Sequence, residues 1–102
     1  MKSAIQLRTA AETLRVLCPT KYPVVIRRVK LTDHGDCELV KVKRRRTFKI
    51  RISSNLDIQF QIWVLVHEWA HAMTWDITHD RHPDHGGHFG IAYAEAYAAI
   101  YD

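Results

Sequence analysis

The sequence predicts an α+β fold of order α-β-β-β-α-α, and three stretches carry that prediction. Leu7, Ala11, Leu14 and Cys18 recur at the spacing of one helix face. Thr47-Phe48-Lys49-Ile50-Arg51-Ile52 alternates apolar and basic residues with period two, as a half-buried strand does. The run from Ile62 to Met73 is apolar almost all round yet holds two histidines and a glutamate, which marks a central helix with chemistry on it. At 102 residues the chain reads as a single domain, 1–102, with one modest core.

The elements follow in order. Ser3 and Gln6 read as a capping box for a helix over residues 3–17, and Pro19 stops it. Tyr22-Pro23 opens a strand from Val24 to Val29, rich in branched residues. Asp33-His34-Gly35-Asp36 reads as a turn and Glu38 to Val42 as the returning strand of a hairpin. With Thr47 to Ile52 this gives a three-stranded antiparallel β-meander. Ser54 and Asp57 read as a second capping box, opening a helix that runs to about Trp75. Its apolar stripe is Ile58, Ile62, Leu65, Trp69 and Ala72, widened by Trp63, Val66 and Met73. Residues 76–87 form a polar, histidine-rich loop, and His88 to Tyr101 is a closing helix with Phe89, Tyr93, Tyr97 and Ile100 on its apolar face.

Composition narrows the classes. No stretch approaches the ~20 apolar residues of a membrane span, and the first residues lack the apolar core of a signal peptide, so the cytoplasm is the expected location. Cys18 and Cys37 have no Cys-x-x-Cys spacing and read as free, buried thiols. A net charge of +4 and a pI near 9.3 favour an acidic partner such as nucleic acid. The cations concentrate at Lys41, Lys43, Arg44, Arg45, Arg46, Lys49 and Arg51. Phe48, Ile50 and Ile52 should face the core, leaving Lys49 and Arg51 beside Lys41 and Lys43 on the wet side. Two readings stand level: a phosphate-binding patch, or a solvated strand face that discourages edge pairing.

Residues 67–71 read His-Glu-Trp-Ala-His, an H-E-x-x-H pattern. On a helix His67 and His71 fall on one face within reach of one metal ion, and Glu68, about 100° away, can reach a water on that metal without ligating it. Trp69 inside the motif reads as core. A catalytic zinc usually keeps three protein ligands. His79, His82, His85 and His88 lie downstream, as does Glu95 on the last helix.

Thirteen residues separate His71 from His85-Gly86-Gly87-His88-Phe89. Over residues 64–89 the sequence resembles the SprT-like, or Spartan-type, zinc metalloproteases, in which an H-E-x-x-H helix is followed by a third histidine in an H-G-x-x-F pattern. The resemblance implies a small zincin-like domain, with Zn2+ on His67, His71 and His85 and with Glu68 as catalytic base. Gly86 and Phe89 match the remaining fixed positions; Gly87 stands where many members have proline. His88, His82, His79 and Glu95 remain alternative third ligands. The C-terminal zinc ribbon of some members has no counterpart after the motif, so DNA contact would fall to the basic residues 41–51. The implied activity is peptide-bond hydrolysis by metal-activated water, on protein or peptide substrates that include DNA-associated proteins. The substrate is expected as an added strand on a sheet edge near Thr47 to Ile52. Tyr93, Tyr97 and His88 are candidates for holding the oxyanion, and Asp76, Asp80 and Asp84 for orienting the imidazoles. The alternative is a non-catalytic nucleic-acid-binding or regulatory module with a structural metal site.

Overall fold

The computed structural model describes residues 6–76, 79, 81 and 85–102. Ser3, Asp80, His82 and Asp84 lie outside the described residues. The element order is the expected one: α1 (Leu7–Leu17), β1 (Val24–Val29), β2 (Gly35–Val42), β3 (Arg45–Ser53), α2 (Ile58–Met73) and α3 (Gly87–Tyr101). Helix α1 buries Leu7, Ala10, Ala11 and Leu14, with Gln6 at its N-cap and no side-chain cap there.

The sheet is mixed, which corrects the antiparallel meander. Its order is β1-β3-β2; β1 runs parallel to β3, and β2 pairs antiparallel to it. No hairpin joins β1 to β2. Instead, residues 30–34 cross the end of β3, where the Ser53 N–H donates to the His34 carbonyl and the Ser54 N–H to the Val29 carbonyl, both at 2.8 Å. Five residues reach about 16 Å, enough to pass the ~10 Å between strands two apart. The physical reason lies in β3. Phe48, Ile50 and Ile52 are wholly buried, so this strand takes the centre and leaves the edges to more polar strands. The true hairpin is β2–β3, closed by Lys43-Arg44, with Val42 opposite Arg45. Lys43 adopts φ 57°, the left-handed region that costs a residue with a Cβ about 1 kcal/mol.

Helix α2 begins at Asp57 rather than Ser54. The Asp57 carboxylate accepts the Phe60 N–H at 3.0 Å and satisfies one of the helix's free donors. Trp69 is fully buried, and its indole N–H donates to the Cys18 carbonyl at 2.8 Å, tying α2 to the end of α1. Cys18 and Cys37 are both free and buried. Gly35 opens β2 where a Cβ would lie 2.6 Å from the Arg51 carbonyl oxygen and 2.7 Å from Val64 Cγ1. Only glycine lets the strand sit that close to α2.

On α3 the buried face is Phe89, Ala92, Ala96 and Ile100. Tyr97, expected in the core stripe, is exposed, and Tyr93 is half-buried. Alanine lets α3 approach α1 and α2 closely, so the bulky rings move outward and stack as Tyr93–Tyr97–Tyr101, with centroids 6.1 and 4.5 Å apart. Among the described residues, no helix is long and apolar enough to cross a membrane.

Candidate metal centre

Two turns of α2 and the start of α3 build the site. Helical spacing puts His67 and His71 on one side of α2, with ring centroids 4.9 Å apart. His85 enters from the loop before α3, its centroid 5.2 Å from His67 and 4.8 Å from His71. Phe89, one turn after His85 and buried, packs its ring 4.6 Å from both His71 and His85. It fixes the loop histidine against the helix pair.

The ligating atoms of the three histidines all lie within 4.8 Å of one another, and His71 Nε2 and His85 Nε2 are 3.0 Å apart. Nitrogen ligands hold zinc at about 2.0–2.1 Å, which in a tetrahedron leaves donors roughly 3.3 Å apart. The three imidazoles therefore fit one ion after small ring rotations. Three imidazoles are a donor set that suits zinc and other borderline divalent metals.

Glu68 is buried, its Oε2 4.0 Å from His67 Nε2. Burial, with a smaller push from the Asp36 charge, raises its carboxyl to about 7. The Cys37 thiol is likewise pushed up by burial first and the Glu68 charge second.

Among the described residues, the other expected ligands lie elsewhere. His88 and Glu95 are exposed on α3 and outside the cluster. Glu95 acts electrostatically on Cys18, at the end of α1. His79 Nδ1 is 2.7 Å from Asp76 Oδ2, which commits both to a turn whose backbone pairs Asp76 with Arg81. Of the expected oxyanion groups, Tyr93 has its ring centroid 6.2 Å from that of His67.

The basic residues do not form one face. Across β2–β3, Arg51 stands opposite Asp36 and Lys49 opposite Glu38. Arg51 Nε donates to Asp36 Oδ1 at 2.9 Å, and its Nη2 donates to Oδ2. Lys41 pairs with Arg46, one residue out of phase, so it points to the opposite side of the sheet from Lys49 and Arg51. Arg46 donates to the Tyr22 hydroxyl at 3.0 Å. The exposed cations Lys43, Arg44 and Arg45 gather at the hairpin tip.

A cleft of about 370 Å³ borders the cluster, lined by Asp33, His34, Gly35, Trp63, Val64, His67 and Glu68. Sequence reasoning took Trp63 for core and His34 for a solvated turn residue. The available signal was Phe60-x-x-Trp63-x-x-x-His67, one helix face leading to the first histidine. The edge expected near Thr47 to Ile52 is also corrected: β3 is paired on both sides, and the strand bordering the cleft is edge strand β2. Compared with family models, curated proteins and solved structures, the chain matches none.

Proposed function

We propose that the chain is a zinc-dependent endopeptidase of the SprT-like kind, with a zincin-like catalytic arrangement. One observation carries the reading: three histidine donors converge within 4.8 Å beside a buried carboxyl raised to about 7. When bound, zinc supplies a Lewis acid that polarises a peptide carbonyl and makes water nucleophilic near neutral pH. Glu68 accepts the proton of the attacking water and delivers it to the leaving amine. A buried carboxyl beside the histidines is the residue type suited to that proton transfer. In this reading Tyr93, whose ring centroid lies 6.2 Å from that of His67, would donate to the developing oxyanion. The free edge of β2 would hold an extended peptide by main-chain hydrogen bonds, with Gly35 beside the cleft. The reading takes the cytoplasm as location, in keeping with two free thiols.

The test is cleavage of an unfolded protein by the zinc-loaded chain and by Glu68→Gln. Expected is a loss of at least ~100-fold with zinc stoichiometry and fold unchanged; undiminished cleavage by the variant removes the proposal. A second reading rests on the hairpin tip, where Lys43, at φ 57°, precedes the exposed cations Arg44 and Arg45. In it the chain binds nucleic acid there, either to reach DNA-associated substrates or as a non-catalytic or regulatory module with a structural metal. DNA affinity that falls steeply with salt and survives Glu68→Gln, without cleavage of any protein, would select the non-catalytic form.

A further inference from the structure

The aromatic side of the cleft has no part in holding a metal or moving a proton. Phe60 and Trp63 are among the few large apolar side chains that α2 leaves in solvent, at 37% and 42% exposure. They are in edge contact with centroids 5.4 Å apart, and His34 from the β1–β2 crossing meets Phe60 edge-on at 5.1 Å. Gly35 and Val64 complete the same corner, the glycine being the only residue that fits against Val64 there. Trp63 and His34, from two separate elements, therefore line the cleft beside a small apolar floor, and Phe60 buttresses both rings from outside it. Exposed apolar surface of this kind, lining a concave site, is characteristic of ligand contact.

The position of that wall relative to the chemistry follows from helix geometry. Trp63 precedes His67 by four residues and Glu68 by five, which is about 6–7.5 Å along the axis. Same-side residues of an extended peptide repeat at about 6.6 Å. Trp63 and Glu68 line the same cleft, so a peptide lying along α2 and reacting at Glu68 would bring a side chain within two residues of the reacting bond to Trp63.

We infer that Trp63 and His34, backed by Phe60, form a specificity subsite for one large apolar side chain, aromatic for preference, of a peptide substrate. The inference rests on the peptidase reading and adds a substrate class to it. A basic side chain is the competitor, because Asp33 also lines the cleft and cations stack on indoles. The apolar occupant is favoured because the floor is Gly35 and Val64, and because a divalent ion on neutral imidazoles a few ångströms away repels a second cation.

The test uses the zinc-loaded protein and blocked peptides of alanine, serine and glycine carrying one Phe, Leu, Lys or Glu. The expected result is a kcat/KM at least ~10-fold higher for Phe than for its Ala counterpart, at one position within two residues of the cut. In Trp63→Ala that ratio should fall at least five-fold, and in Trp63→Phe it should persist. Equal rates for Phe and Ala, or a preference for Lys, would overturn the inference.

Binding of the same peptides to zinc-loaded Glu68→Gln, followed by NMR shifts, separates this failure from failure of the peptidase reading. Selective binding of the Phe peptide that is lost in Trp63→Ala upholds the subsite even if nothing is cleaved. Absence of any selectivity in binding rejects it.

Discussion

Glu68 concentrates the residue-scale consequences, because its folded and unfolded states bind protons differently. Its carboxyl stands at about 7 in the metal-free fold against an ordinary 4.5. A raised carboxyl contributes stability in full below about 4.5, and that contribution is lost as pH rises through 7. The interval corresponds to roughly 3 kcal/mol at most. Metal-free wild type should therefore lose stability relative to Glu68→Gln between pH 4.5 and 7. Denaturant melts of both proteins across that range check it, and a constant difference between them would show that Glu68 is solvated. His85 supplies a second expectation. His85→Ala should weaken zinc binding by more than the 10–100-fold lost with an outer partner, measured by competition with a chromogenic chelator. His88→Ala, removing an exposed side chain outside the cluster, should leave zinc affinity near wild type. The helical pair was legible because spacing of four fixes direction on a helix. The third position was less so, because His79, His82, His85 and His88 sit where backbone conformation, not periodicity, decides which imidazole turns inward.

At the scale of elements, Gly35 and Trp69 decide how β2 and α1 meet α2. A methyl group at Gly35 would press on a backbone carbonyl at 2.6 Å and on Val64 at 2.7 Å. Gly35→Ala should cost about 1–3 kcal/mol, the usual range for overpacking, and displace the start of β2. Chemical denaturation measures the cost, and a neutral change would mean that strand and helix separate freely. Strand identity was readable from sequence because alternation at Phe48, Ile50 and Ile52 has a single structural meaning. Pairing was not, since a turn-like Asp33-His34-Gly35-Asp36 suits a hairpin and a crossing equally well. What settles it is a comparison between strands: the one with the driest inner face takes the centre. Tyr97 teaches the same lesson on α3. A stripe chosen for its largest apolar residues overlooked that close helix packing prefers Ala92 and Ala96.

For the whole molecule, a metal on His67, His71 and His85 would bridge α2 and the loop entering α3, two parts of the chain that the core also joins. Zinc at 100 times its dissociation constant should stabilise the fold by about 2.7 kcal/mol, a rise in Tm of roughly 10 °C or more for a domain of this size. Calorimetry with and without zinc tests this, and His71→Ala should abolish the increment. The crossing of residues 30–34 over the end of β3 has a different consequence, for the order of assembly. The β2–β3 hairpin closes through two residues, whereas β1 must find a partner strand about twenty residues further along. Local pairing comes first, and docking of β1 is the late step. The crossing that carries Asp33 and His34 is bonded to β3 at one end and joins β1 at the other, so it is held at both ends only after β1 docks. An amide-exchange experiment should accordingly find β1 and the His34 wall opening together, as one cooperative unit less protected than the hairpin. The cleft would then be the last feature to form and the first to loosen.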